Sequence, residues 1–266
     1  MIIWRDPAQV GAPLGDRTVG RATRLLRYLQ EAGKSYRARV VFGVATDTLD
    51  ASGAVLERSE MPLELAQVER AAQAFVGDIE QIPPMVSAIK VDGRKLYELA
   101  RKGETVERAP RPVRIDTLVV EEFVGGAYPE ATIRVDCSSG TYVRTLVADL
   151  GTALGGCAHL GQLRRLRVGS FGVDESRSID VIAADPEAAL LSPAAALRDL
   201  PAVSVTGEQA RAVAHGATFA APALLGDDDG PGPFAVIDDH GALLAVYERK
   251  GGGVKPSVVL APQEST

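Results

Sequence analysis

Apolar and polar positions alternate with period two in "KSYRARVVFG" (34–43), where Tyr36, Ala38, Val40 and Phe42 share one face. The same holds in "ATIRVDC" (131–137), with Ile133, Val135 and Cys137 on one side. Both read as strands with one buried face. A period near 3.6 runs through "LELAQVERAAQAFVG" (63–77), with Leu65, Val68, Ala72 and Phe75 in one stripe, and predicts a helix stopped by Gly77. After Ser138-Ser139-Gly140, the stripe Val143, Leu146, Val147, Leu150 and Leu154 predicts a second helix that ends at Gly155. "TDTLDASG" (46–53) is dense in turn residues and reads as a loop. Segment 81–103 opens on two prolines, so an extended stretch is expected, then a turn at Asp92-Gly93 and a short basic helix. Beyond residue 200 the pattern changes to short strands around a turn at Asp239-His240-Gly241, which predicts a small β module. The fold class expected is therefore α+β: a mixed, mainly antiparallel sheet with flanking helices over 1–185, followed by the module at 200–266. No internal repeat is visible.

Composition narrows the partners. Hydrophobic residues make up 46% of the chain, enough for a substantial core. No run approaches the roughly 20 apolar residues of a membrane span, and "MIIWRDPAQVG" meets charge and proline too early for a signal peptide. The expectation is a soluble, cytoplasmic protein with no membrane partner. Its two cysteines, Cys137 and Cys157, lack metal-ligand spacing. The net charge of −6 argues mildly against a nucleic acid, but its distribution argues the other way. Residues 17–39 hold seven basic side chains and one acidic, 90–102 hold five and two, and "RRLR" (164–167) adds three more. Such stripes suit a phosphate backbone, and they also suit ordinary solvated faces.

The residue that asks for an explanation is Arg144. It lies just after the Ser-Ser-Gly turn, two residues beyond Tyr142, off the buried stripe and at the opening of its helix. A cation there is mildly disfavoured by the helix dipole, a hint that something else holds it. Its planar fork suits a carboxylate or a phosphate. Other chemistries lack support. His159, His215 and His240 have no partner at metal spacing, and there is no glycine-rich phosphate cradle and no nucleophile elbow. From the residues alone, the chain is an α+β protein with possible affinity for RNA or phosphate.

Four stretches carry a resemblance: "GRATRLLRYLQEAGKSYRARVVFGVATDTLDASG" (20–53), "GDIEQIPPMVSAIKVDGRKLYELARKG" (77–103), "VDCSSGTYVRTLVADLGTALG" (135–155) and "AHLGQLRRLRVGSF" (158–171). In order and spacing they resemble the bacterial tRNA pseudouridine-55 synthase family, and the tail resembles the PUA-like RNA-binding module that accompanies it. The resemblance implies an isomerase that flips a T-arm uridine out of its stack, detaches the base from C1′, and rejoins it through C5, with no cofactor and no metal. It implies an aspartate that acts on the ribose with Arg144 as its partner, Tyr36 stacking on the base, and Tyr142 and Leu163 lining the pocket. Lys90, Arg94 and Lys95, with Arg164 and Arg165, would grip the RNA. A monomer is expected.

One motif departs from the family. The family carries its aspartate in Gly-His-x-Gly-x-Leu-Asp-Pro ahead of "GRATR", where this chain has "MIIWRDPAQVGAPLGDRTVG". Asp6-Pro7 with Gly11 keeps the Asp-Pro-x-x-x-Gly spacing, so Asp6 is the expected nucleophile. Asp16 fits worse, and Asp47 and Asp50 belong to a loop motif of their own. The alternative is a catalytically inactive tRNA-binding protein that keeps the grip without the nucleophile.

Overall fold

The computed structural model describes residues 2–5, 15–18, 20–87, 90–91, 93–100, 104 and 106–260. Two compact units emerge: 32–168, and a second one made of 1–31 with 169–266.

The first unit is organised around an antiparallel sheet. Its strands are β1 (Lys34–Phe42), β4 (Gly77–Gln81), β5 (Arg111–Val124), β6 (Glu130–Cys137) and β7 (Ala158–Val168), in the order β7-β1-β6-β5-β4. A short hairpin of β2 (Val44–Thr46) and β3 (Val55–Arg58) follows β1 across Gly43. The glycine at 43 has φ +78, and a Cβ there would collide with the carbonyl of Ser59; only glycine makes that bend without strain. Helices α1 (Leu65–Gln73) and α2 (Val143–Ala153) cover one face of the sheet.

The alternation in β1 is realised as expected: Tyr36, Ala38, Val40 and Phe42 are all buried and join Ile133, Val135 and Cys137 of β6 in one core. From α2 the core receives Val143, Leu146, Val147 and Leu150, the last three with no exposed surface. Each such side chain contributes roughly 1.5–3 kcal/mol on burial, which is what fastens α2 to the sheet. The opposite face of the sheet carries the charged positions Arg37, Arg39, Glu121, Glu122 and Glu130.

Helix α1 stops at Gln73, four residues before the glycine expected to end it. The chain tightens there through Phe75 N–H to Ala72 C=O and Val76 N–H to Gln73 C=O. Gly77 instead opens β4, with φ +114. In the second unit the tail sheet runs in the order β8 (Ala202–Ser204), β10 (Phe234–Ile237), β11 (Leu243–Lys250), β12 (Gly253–Val259), β9 (Phe219–Ala220). The module is not purely β: α3 (Gly207–Ala214) buries Val213 among Phe234, Val236 and Tyr247.

Candidate functional site

Two neighbouring strands make the floor of the site. β7 pairs with β1 so that Leu163 stands opposite Ala38, and Arg165 opposite Tyr36. Register slips at both ends of this stretch, between Leu160 and Gln162 and between Arg165 and Arg167; such bulges re-aim side chains next to functional sites. Leu163 is 46% exposed although it shares a pairing position with buried Ala38. Tyr36 itself is buried, and the Arg165 guanidinium lies 5.4 Å from its ring centroid. Burial pushes the Tyr36 phenol above its ordinary pKa, while the charge of Arg165 pulls in the other direction. Arg164, paired opposite Arg37, is exposed.

Above this floor lies the first turn of α2. Tyr142 is its N-cap and borders a cavity of about 290 Å³ with Arg111, Pro112, Val113, Ser139 and Gly140. Arg144, half-buried, answers the question its position raised. Its Nη1 donates to Asp50 Oδ2 at 3.0 Å, and its Nη2 donates to the carbonyl of Val86 at 3.0 Å. The loop 46–53 is stitched to the site. Leu160 N–H donates to the Leu49 carbonyl, and Ala51 N–H to that of Leu160, so that the loop adds to the edge of β7. Leu49 takes φ +62 to do so, a left-handed backbone that costs a non-glycine residue on the order of 1 kcal/mol.

Both oxygens of the Asp50 carboxylate are engaged. Oδ1 accepts from the Thr48 hydroxyl at 2.8 Å, the Ser52 hydroxyl at 2.5 Å and the Ser52 amide at 3.0 Å, while Oδ2 takes Arg144. Partial burial pushes its pKa up. The Ser52 and Thr48 hydrogen bonds and the Arg144 charge outweigh that, and hold it below the ordinary aspartate range. Asp50 therefore stays ionised and fixes the guanidinium. Asp47 serves the turn, accepting from the Ala54 amide. A sequence signal for Asp50 did exist: a carboxylate flanked two residues away on each side by hydroxyls, Thr48 and Ser52.

Of the other expected residues, Asp6 lies outside the described residues, and Asp16 falls in the strand Gly15–Thr18. Lys90 and Lys95 are backbone partners in a two-residue hairpin. Arg94 is exposed and pairs with Glu104 at 3.4 Å. Among the described residues no cluster of His, Cys, Asp and Glu could hold a metal ion, and no helix is long and apolar enough to cross a membrane.

Comparison with known proteins fits this arrangement. Residues 17–143 match the model of the TruB family pseudouridylate synthase N-terminal domain, 144–189 the tRNA pseudouridylate synthase B C-terminal domain, and 200–261 the tRNA pseudouridine synthase II C-terminal domain. A tRNA pseudouridine synthase B of Aromatoleum aromaticum is 41% identical over 253 residues, 93% of this chain and 78% of that one. The chain belongs to the TruB family. A homologue of the same name from Gloeobacter violaceus is 41% identical over 266 residues, 96% of this chain and 86% of the other. One from Symbiobacterium thermophilum is 51% identical over 199 residues, covering 74% of this chain and 66% of its own. A chain in the crystal structure of a Cbf5–Nop10–Gar1 complex shares the fold, with a TM-score of 0.66 at 22% identity over 92% of this chain and 71% of that chain. As a TruB family member the protein is an isomerase that converts uridine in tRNA to pseudouridine.

Proposed function

We propose that the substrate is the T-arm uridine at position 55, and that it is turned over between Tyr36, Leu163, Tyr142 and Arg144. The observation that carries this reading is the ion pair between Arg144 and Asp50, set at the helix opening beside the Tyr36 strand. A guanidinium has five N–H donors. Two of these positions face Asp50 and Val86, so donors remain for a second carboxylate, the one that acts on the ribose. We assign that role to Asp6. Asp50 is the anchor, since its oxygens are already occupied by four donors.

In the reaction the C1′–N1 bond breaks, the uracil rotates, and a C1′–C5 bond forms; the C5 proton leaves and N1 is protonated, so that no atom is gained or lost. The flipped base stacks at Tyr36, where Arg165 now lies over the ring. Unstacking costs a few kcal/mol, which contacts to an aromatic face and a preorganised charge offset. The basic segment 90–102 and Arg164 grip the RNA from outside. Residues 1–185 act as the catalytic domain and 200–266 as a PUA-like RNA-binding module. The protein works as a cytoplasmic monomer without a cofactor.

Pseudouridine mapping on unmodified tRNA tests the assignment. Asp6→Ala should abolish product and leave tRNA binding nearly intact, because a group that acts on the ribose contributes chiefly in the transition state. Product that survives Asp6→Ala and disappears in Asp50→Asn would transfer the nucleophile's role to Asp50. A wild-type chain that binds tRNA and makes no pseudouridine would defeat the catalytic reading of the site.

A further inference from the structure

We infer that Gln81 is a positioning residue for the isomerisation, holding the first turn of α2, and through it Arg144, at the angle the reaction needs. The inference rests on the reading of Arg144 given above. Gln81 ends β4, where it pairs with Arg111 of β5, and it is 1% exposed. A buried amide costs free energy unless all its polar atoms are bonded. Here both are spent on a single residue 61 positions away: Oε1 accepts from the Tyr142 amide at 2.9 Å, and Nε2 donates to the Tyr142 carbonyl at 3.3 Å. That carbonyl also accepts the first helical bond of α2, from the Leu146 amide. The clasp therefore joins the sheet directly to the N-cap of the helix.

The chain continues from Gln81 across the same turn. Thr145 Oγ1 donates to the Ile82 carbonyl at 3.5 Å, and Arg144 to that of Val86. Between these two points lie Pro83 and Pro84, whose fixed φ leaves the segment little freedom. Where the Val86 carbonyl sits is thus set largely by where Gln81 is pinned. Leu146, Val147 and Leu150 attach α2 to the sheet by burial, which is non-directional. The amide clasp is directional and bonds the same residue that borders the cavity beside Ser139 and Gly140. It fixes the rotation of the first turn, and with it the aim of Tyr142 and Arg144.

The test compares the full chain with Gln81→Met, which matches the volume and removes both bonds. Tritium release from tRNA labelled at uridine C5 reports the chemistry, since the C5–H bond breaks. With protein in saturating excess, the rate should fall about tenfold or more while tRNA affinity stays within about threefold. In an Arg144→Lys background the same change should cost about twofold or less, because the two residues act as one unit. The side-chain Nε–H resonance of Arg144 should also move in Gln81→Met. Gln81→Glu keeps the acceptor for the Tyr142 amide and loses the donor; a smaller loss in the same direction is expected, and it serves if Gln81→Met does not fold. An undiminished rate, an equal loss in both backgrounds or an unmoved Arg144 resonance would overturn the inference. A wild type that releases no tritium refutes the catalytic reading instead, and the resonance then decides the role of Gln81 by itself.

Discussion

The two faces of one sheet carry ion pairs of nearly equal length and different consequence. On the outer face Arg37 meets Glu121 and Glu122 at 2.7 and 3.0 Å, with side chains 29–64% exposed. On the inner face Arg144 meets Asp50 at 3.0 Å, at 26% and 23% exposure. Distance does not separate them. What does is exposure and the number of bonds on the carboxylate: Asp50 accepts three more, whereas Glu122 accepts one more, from the Thr132 hydroxyl. An exposed pair loses much of its Coulomb energy to solvent and must also order two long side chains, so it contributes about 0–1 kcal/mol. A networked pair in a partly dry site fixes a charge in direction as well as in place.

The largest effect that separates the faces should be on chemistry. Arg144→Met should lower the single-turnover rate of pseudouridine formation by about a hundredfold or more, the scale seen when one preorganised charge-stabilising donor is removed. Arg37→Met should leave it within about twofold. Equal losses would mean that the inner pair is no more than another surface bridge.

Next in size is the grip on RNA. Reversing charge at Lys90, Arg94 and Lys95 should weaken tRNA binding and flatten its salt dependence, by about 0.7–0.9 in log–log slope for each phosphate no longer neutralised. Filter binding across a salt series measures both, and unchanged affinity in the triple variant would remove this hairpin from the interface.

A smaller effect concerns stability. Asp50→Asn should cost about 1–2 kcal/mol at neutral pH by leaving charge-assisted bonds unmade. Because the folded pKa of Asp50 is depressed, its contribution is fully present above the ordinary value of about 3.9 and is lost as pH falls through the lower folded value. The gap between wild type and Asp50→Asn in urea melts should therefore close on acidification, and a gap that widens would contradict the network. The smallest effect expected is at Arg39 and Glu130, where a double-mutant cycle should give a coupling below about 1 kcal/mol.

Much of the fold was legible in the sequence because it is encoded at short range. Side chains alternate across a strand and repeat every 3.6 positions on a helix, so β1, β6 and α2 declared their buried faces within a window of a few residues. The end of α1 was less legible, because a glycine with positive φ serves the start of a strand as well as the end of a helix.

The chain by itself determined which faces are apolar, where the basic stripes fall, and the motif order that resembles the family. It also marked Arg144 as a cation that its own helix does not favour. Tertiary structure alone decided what holds that cation. Asp50 lies 94 residues away and Gln81 reaches Tyr142 across 61. The first depends on a loop stitched to Leu160 of β7, the second on the pairing of β4 and β6 with β5, and no local pattern specifies a meeting of side chains that distant along the chain. Local periodicity says which side of an element is wet; only the packed sheet says which loop and which helix end share a site.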